Sequence, residues 1–477
     1  MPSIYPDRNQ VWLFPPTIDE WVPENHLARF IVAFVDNMDL RKIGFKQEQE
    51  QGRPSYCPEM LLAVWLYGLM KRIRSSRKLE EATKDSRGMQ FITGNEYPDH
   101  NTLWRFFDNN KKQIKLIMKE TIRIAVENDM VGFEVQAIDG TKIVADVSKE
   151  KTMTINGLKK KLELIDKEVG AMVAEVEKNE VADEQARKGG YGLPERLLNK
   201  EEMRKTVAES LKRLESEGKT EENPTDKDSR FMKVRSQGLQ QAYNAQSVVD
   251  GKNQIIVGED VTNKSTDNHE LNNMLETAES NTGVKSQKTL ADMGYYSADE
   301  MAKAEENMNN IIIALPENER TGKYSKSNFK YDEARNEYIC PEGKRLEYSG
   351  EKTIRSVNAC TVKKRYRCGK YKNCPAASEC SKDKKGREIE TVNEEQIINR
   401  IKERAKKENW KIQLKKRSVI VEPVFGYIKT VFGIRRFSLR GLEKVKTEWS
   451  LICSGFNLKK IYKRWLNGKI KLKPIVT

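Results

Sequence analysis

The chain has 477 residues, 37% of them hydrophobic and 33% charged, a composition that allows two or three domains with buried cores. It carries 86 Lys and Arg against 71 Asp and Glu, so its net charge is +15 and its isoelectric point is near 9.2. No apolar run is long enough to span a bilayer, and the N-terminus lacks the order of a signal peptide, which predicts a cytoplasmic protein. The positive charge favours a nucleic acid as partner, although a basic protein without such a partner has the same composition.

Residues 1–130 have the pattern of several short helices. Apolar residues recur at helical spacing in residues 27–35 and again in residues 60–73, and Asn101 is placed to cap a later helix. Short helices joined by a polar turn are typical of helix-turn-helix DNA-binding regions, and equally of an ordinary helical bundle. We therefore predict an N-terminal helical region that contacts DNA or serves only in packing.

The middle of the chain alternates between strand and helix patterns. Short β-branched runs on either side of Gly140 predict a pair of strands, the first ending at Asp139. Residues 150–230 carry an apolar heptad seam, which predicts an inserted helical hairpin for intrachain packing or self-association. From Leu239 onward the strand pattern returns, with a hairpin around the sequence DGKN and later strands near 288–292 and 310–315.

Two further segments stand out by composition. Residues 316–393 form a polar insertion with five of the seven cysteines, and residues 456–477 carry seven Lys and Arg but no acid. The basic segment is predicted to be a tail that lies on a phosphate backbone or in solvent. The gaps between the cysteines exceed the usual spacing of structural zinc sites, so zinc and free thiols both remain open. The candidate zinc ligands are Cys340, Cys368, Cys374 and Cys380.

Three acidic residues stand where ligands are expected. Asp139 and Asp292 each follow an apolar run and would lie at the C-terminal edges of buried strands, where α/β sheets bind ligands. Either alone is equally well a turn-forming Asp, but two such edges favour a site. On a helix over residues 421–433, Glu422, Gly426 and Lys429 share one face with Gly433. Three carboxylates on separate elements suit two Mg²⁺ or Mn²⁺ ions about 4 Å apart.

These motifs together resemble a known family. The order of IDGTK, NAQ followed by VVD, ADMGYYS and VEPVFGYIK is similar to that in the DDE transposases of bacterial insertion sequences. The resemblance implies a ribonuclease H-like fold of mixed α/β or α+β class in residues 131–455, a mixed sheet flanked by helices. The N-terminal helical region and the two insertions would be additions to it. The resemblance assigns catalysis and metal binding to Asp139, Asp292 and Glu422.

The same resemblance implies the DNA contacts and the reaction. Lys429 and Arg417 match the basic residues of the family signature, whereas Leu414 stands where a Tyr is expected. Lys142 and Tyr295 belong to the matching motifs and are also expected to contact DNA. The implied activity is metal-dependent cleavage at element ends and transfer of the 3′-hydroxyl into target DNA.

Assembly and the competing functions follow from the same comparison. The resemblance implies that a homodimer or higher multimer acts on the terminal repeats and target DNA, and that the protein is associated with the nucleoid. Two alternatives share many of these features. One is a transposase-derived DNA-binding protein without catalysis, and the other is a two-metal DNA nuclease without strand transfer.

Overall fold

The protein was examined as a computed structural model. Among the residues it describes, no helix is long and apolar enough to cross a membrane. The described residues are 17–45, 55–183, 195–218, 220–315, 322–332, 334–356, 359–369, 371–383, 386–391, 395–408, 410–470 and 472.

Helices make up the N-terminal part and flank the sheets. Side chains cap several of them. Asp99 accepts a hydrogen bond from the Thr102 amide at 2.8 Å, so the N-cap of this helix is Asp99, two residues before the predicted cap Asn101. The helices are α1 (Leu27–Asp36), α2 (Leu40–Ile43), α3 (Pro58–Met70), α4 (Ser76–Asp85), α5 (Arg87–Thr93), α6 (His100–Asn109), α7 (Lys111–Glu127), α8 (Ile155–Asp183), α9 (Glu195–Ser216), α10 (Leu271–Thr282), α11 (Ala298–Glu306), α12 (Ala377–Cys380), α13 (Glu395–Lys407), α14 (Trp410–Thr430) and α15 (Leu442–Leu466).

Strands form one large sheet, one smaller sheet and a short pair. In chain order they are β1 (Gln136–Val144), β2 (Met153–Thr154), β3 (Glu221–Glu222), β4 (Arg230–Val234), β5 (Gly238–Asp250), β6 (Ile256–Thr262), β7 (Thr289–Ala291), β8 (Ile311–Ile313), β9 (Lys330–Asp332), β10 (Glu337–Ile339), β11 (Arg345–Ser356), β12 (Ala359–Cys368) and β13 (Glu388–Thr391).

The large sheet has β1 at its centre. Its order is β4-β5-β1-β7-β8, with β6 also paired to β5. Strand β1 is antiparallel to β5 and parallel to β7, and β7 is parallel to β8. Helices α10, α14 and α15 pack on this sheet. The predicted mixed sheet flanked by helices, with a helical N-terminal region, is confirmed.

Strand β1 does not end at Asp139, and the predicted pair of strands around Gly140 is wrong. The strand continues to Val144, and Gly140 pairs with Gln246 of β5. A Cβ at Gly140 would lie 2.6 Å from both Asp267 Oδ1 and Gln246 Nε2. The glycine is therefore required by a close approach of side chains across the strand, and it does not mark a turn.

The N-terminal helices and the sheet share one hydrophobic core. Helix α15 packs against α7, α3 and β6. At Gly455 an added Cβ would lie 2.6 Å from Leu69 Cδ2, so the glycine permits the close approach of α15 and α3. The predicted boundary near residue 130 consequently does not separate two cores.

The predicted basic tail begins inside a core helix. Residues 456–466 are the last turns of α15, where Phe456 and Ile461 are buried. Asn457 is fully buried and fastens the helix to β6, because its side chain accepts from the Ile256 amide at 2.9 Å and donates to the Ile256 carbonyl at 2.8 Å. The tail prediction is therefore wrong for these residues: the apolar positions between the lysines were overlooked.

Each of the two insertions has a small core of its own. Helices α8 and α9 pack through Leu158, Ile165, Val207 and Leu214. The second sheet has the order β13-β12-β11-β10-β9, and its core is separate from the main one. We call residues 322–391 of this segment the cysteine module. Its hydrophobic core consists of Phe329, Tyr338, Leu346, Tyr366, Cys368 and Ile389.

Glu448 of α15 joins the helical region to the loop that follows α14. Its carboxylate accepts hydrogen bonds from the amides of Ser438 and Leu439, both at 2.9 Å. Arg74 donates to the same carboxylate at 3.4 Å and to the Arg436 carbonyl at 3.0 Å. Burial raises the pKa of Glu448, and these donors oppose that effect.

Replacement of Glu448 by Ala should lower the free energy of unfolding by about 3–5 kcal/mol, because several buried donors would lose their acceptor. The measurement is the shift of the denaturant midpoint. Glu443→Ala is the matched control, since Glu443 is an exposed residue of the same helix with a surface ion pair to Lys115. Equal shifts for the two variants would contradict the assigned role of Glu448.

Candidate active site

Asp139 lies in the central strand with its carboxylate largely buried, 17% exposed. Its Oδ2 is 2.9 Å from Nη1 of Arg417 on α14, and its Oδ1 accepts from the Gly140 amide at 2.9 Å. Burial raises the pKa of Asp139 to about 6; Arg417 opposes this effect, and the negative charge of Asp292 adds to it. The carboxylate of Asp292 is thus close enough to influence the pKa of Asp139.

Asp292 follows β7 directly, as predicted from the sequence. The parallel pairing of Ala137 with Leu290 places Asp139 and Asp292 at equivalent positions, two residues farther along adjacent strands. The Asp292 carboxylate accepts from the Gly294 amide at 2.8 Å, in a short turn that leads away from the sheet. The structure therefore brings these two candidate ligands together at one edge.

Glu422 lies on α14, which crosses β1. Arg417 of this helix contacts Asp139, and Lys429 donates a hydrogen bond to Thr141, so Glu422 lies between two points that are fixed to β1. Its side chain is exposed. Among the residues that the structure describes, Asp139, Asp292 and Glu422 do not form a group with all ligand oxygens within 4.8 Å of one another.

The face of α14 that carries Glu422 is open. A Cβ at Gly426, one turn later, would meet no atom within 4 Å, which leaves room for a bulky ligand. Gly433 does not share this face, contrary to the prediction, because α14 ends at Thr430 and Gly433 has a φ of +72°. The glycine ends the helix in a left-handed turn.

Asp267 is a fourth carboxylate of this site, and sequence reasoning missed it. Its Oδ1 accepts from Asn244 Nδ2 at 2.6 Å, Gln246 Nε2 at 2.7 Å and Lys142 Nζ at 3.2 Å. A Cβ at Gly294 would lie 2.9 Å from Asp292 Oδ1 and 3.3 Å from Asp267 Oδ2, so both acids face this glycine.

A signal for Asp267 was present in the sequence. Asn244 and Gln246 alternate in β5 among apolar residues, and buried amides of this kind require a hydrogen-bond partner. The position of that partner in a loop about 20 residues later was not readable from spacing.

Two of the predicted DNA contacts are engaged within the protein. Lys142 pairs with Asp267. Tyr295 is 0% exposed and donates a hydrogen bond to Gln246 Oε1, so the predicted contact between Tyr295 and DNA is wrong. Burial raises the pKa of its hydroxyl well above the ordinary value, and the nearby acids raise it further. The aromatic side chain packs below the acidic edge and holds Gln246.

The two basic residues of the family signature stay close to β1. Arg417 pairs with Asp139, and Lys429 is half-buried beside Thr141. Burial lowers the pKa of Lys429, and Arg435 lowers it further. Both side chains lie close to the acidic residues of the sheet. Their assignment as phosphate contacts stays a prediction.

Among the described residues, a different group of possible ligands meets this distance limit. His269, Asp299 and Glu300 have ligand atoms within 4.8 Å of one another. His269 Nδ1 lies 3.1 Å from Asp299 Oδ2, and Glu300 Oε2 accepts from the Asn272 amide and side chain at 2.9 and 2.8 Å. These bonds connect the starts of α10 and α11, which accounts for the group without an ion.

The donors at the edge of β1 and β7 fit a divalent cation. Asp139 and Asp292 supply hard carboxylate oxygens, which Mg²⁺ and Mn²⁺ prefer. Gly294 leaves the space next to Asp292 and Asp267 free of a side chain. Burial is the main cause of the raised pKa of Asp139, and a cation there would offset the smaller contribution from the negative charge of Asp292. Arg417 supplies the positive charge in this structure.

Two protein-family models match the chain. The model described as a transposase DDE domain matches residues 339–462, which contain α14 with Glu422, Arg417 and Lys429. The model described as Transposase domain (DUF772) matches residues 16–109, most of the N-terminal helical region. The comparison with curated proteins found no match.

Replacement of Asp139 by Asn should remove a pH-dependent loss of stability. The folded-state pKa of about 6 exceeds the ordinary value of 3.8, so the contribution of Asp139 is fully present below pH 3.8 and is lost as the pH rises through 6. Denaturant unfolding at about pH 4 and about pH 8 measures the effect. The difference in unfolding free energy, variant minus wild type, should rise by up to about 3 kcal/mol. A difference that stays constant between the two pH values would show that the folded protein does not raise the pKa of Asp139.

Proposed function

We propose that this chain, which belongs to the DDE transposases of the insertion-sequence type, cleaves DNA at the ends of its element and joins the freed 3′-hydroxyl to target DNA. The observation that carries the proposal is the pair formed by Asp139 and Asp292 at matching positions along the adjacent parallel strands β1 and β7, beside a helix with an exposed Glu422. A divalent ion bound there would activate the attacking oxygen and stabilise the leaving oxygen of a phosphodiester. Asp139, Asp292 and Glu422 are the proposed ligands.

The chain's own residues would position the DNA strand for this reaction. Arg417 and Lys429 lie on one helix and reach Asp139 and Thr141, so both cations are next to the acidic edge. Arg417 can exchange its carboxylate partner for a phosphate oxygen, because guanidinium groups bind both in the same geometry. Lys429 is already fixed close to β1 and would contact a phosphate without a large movement.

A basic groove lies next to this helix and extends the surface available to DNA. It is lined by Val419 and Ile420 of α14 and by Lys460, Lys463 and Arg464 of α15. Lys460 donates to Gln254 Oε1 at 3.0 Å and Arg464 to Asn253 Oδ1 at 2.9 Å, so neutral amides hold these cations in place. Their positive charge stays available for a phosphate backbone.

The remaining parts of the proposal concern partners and location. The substrates would be the terminal repeats of the element and a target DNA, with a dimer or higher multimer on paired ends. Because its substrate would be chromosomal DNA, the protein would act at the nucleoid in the cytoplasm. The N-terminal helical region, which matches a transposase domain, is the proposed site of end recognition.

Replacement of Glu422 by Gln should abolish cleavage of element-end DNA and leave DNA binding intact. Loss of a metal ligand removes several kcal/mol of transition-state stabilisation, which corresponds to a decrease of at least about 1,000-fold in rate. The assay uses labelled end DNA with Mg²⁺ or Mn²⁺. Glu443→Gln is the control for loss of an exposed carboxylate.

The outcomes of this assay separate the candidate functions. Undiminished cleavage by Glu422→Gln would refute the proposed role of Glu422. Specific end binding without cleavage by the wild-type protein would favour a DNA-binding protein derived from a transposase. Cleavage without joining to a supplied target plasmid would favour a nuclease.

The double variant Lys460→Ala and Lys463→Ala should weaken binding to end DNA and reduce its salt dependence. If two phosphate contacts are lost, the slope of log K against log salt should fall by about 1.8, since each contact contributes about 0.9. Fluorescence anisotropy at several salt concentrations measures this slope. The control changes Lys285 and Lys303 to Ala, which both pair with surface carboxylates. An unchanged slope in the first variant would exclude the groove as a DNA contact.

A further inference from the structure

We propose that Cys340, Cys368, Cys374 and Cys380 bind one structural zinc ion that holds the cysteine module together. The proposal does not depend on the DNA chemistry proposed above, because it concerns a separate sheet with its own core.

The four cysteines come from different elements and line one small pocket. Cys340 follows β10, and Cys368 is the last residue of β12. Cys374 lies between β12 and α12, and Cys380 is the last residue of α12. The pocket that they share is also lined by Leu346 and Tyr371. Cys340, Cys374 and Cys380 carry free thiols. The fold thus brings Cys340 and Cys380, 40 positions apart in the chain, to the same pocket.

The surroundings of the pocket suit a group of thiolates. The Lys344 amide donates to Cys340 Sγ at 3.3 Å, a bond that stabilises a sulfur with negative charge. Arg387 also lines the pocket, and its buried Nε has no hydrogen-bond partner. Zinc with four thiolates carries a net charge of about −2, which the guanidinium of Arg387 would partly offset.

Zinc binding would release the thiol protons and draw the sulfurs together. Each of the four S–H bonds would lose its proton to solvent, and each sulfur would donate an electron pair to Zn²⁺ without any change of oxidation state. Among the described residues, no three of the sulfurs lie within 4.8 Å of one another. Side-chain rotation must therefore bring them to Zn–S distances of about 2.3 Å.

The small core gives a physical reason for such an ion. The cysteine module is separate from the main core, and among its described residues six buried hydrophobic side chains form its own core. Units below about 70–80 residues seldom bury enough apolar surface to be stable without a metal, a disulfide or a partner. Zinc would join the ends of β10 and β12 to the segment that contains α12.

The test measures zinc on the full-length, reduced protein. The wild-type chain and the Cys57→Ser control, which changes an exposed cysteine elsewhere, should each bind about one zinc per chain. The double variant Cys374→Ser and Cys380→Ser should bind less than about a tenth of that amount. Zinc content after dialysis against low free zinc, by elemental analysis, is the first readout. Retention of a full equivalent by the double variant would overturn the proposal.

Two further readouts need only the wild-type chain and so do not depend on how well a variant folds. Replacement of zinc by Co²⁺ should give the intense visible bands of a tetrahedral site and a sulfur-to-cobalt charge-transfer band. Removal of the ion should increase hydrogen exchange in residues 322–391 and leave β1 and β5 protected. Absence of stoichiometric binding to the reduced chain, or cobalt spectra without thiolate ligation, would overturn the proposal.

Discussion

The ion pair between Asp139 and Arg417 is the interaction on which the site depends. A carboxylate in the middle of a buried strand is stable only if a positive charge compensates it. Arg417 provides that charge from α14 and thereby fixes the helix that carries Glu422 and Lys429 against β1. The same need for positive charge makes this edge of the sheet suited to cations. A divalent ion would compete with Arg417 for the Asp139 carboxylate. A DNA phosphate would compete with Asp139 for the Arg417 guanidinium.

The polar layer of β5 explains why the acids stand where they do. Asn244 and Gln246 hold Asp267 from one side, and Tyr295 donates to Gln246 from below. Gly140 leaves space for this array where any Cβ would collide with it. The position of Asp267 is therefore set by hydrogen bonds among buried groups.

The sequence revealed the parts of this arrangement that follow from local pattern. Asp292 after its apolar strand, the helical region and the mixed sheet could be predicted because burial repeats with the period of each element. Asp139 was found for a reason that was partly wrong, since Gly140 looked like a turn and is instead a close contact across a continuous strand. Asp267 could not be found, because its role comes from side chains of β5 that meet it only in the fold. The last turns of α15 were mistaken for a tail because their lysines concealed buried positions such as Asn457.

The central claim is that Asp139 and Asp292 form the cation site of this protein, with Glu422 completing it. The most direct measurement is anomalous diffraction from crystals grown with Mn²⁺ and end DNA. The account predicts anomalous density between Asp139 and Asp292, with Glu422 brought to the ion and Arg417 displaced from Asp139. Manganese found only at His269, Asp299 and Glu300, or density at neither position in a complex that cleaves DNA, would contradict it.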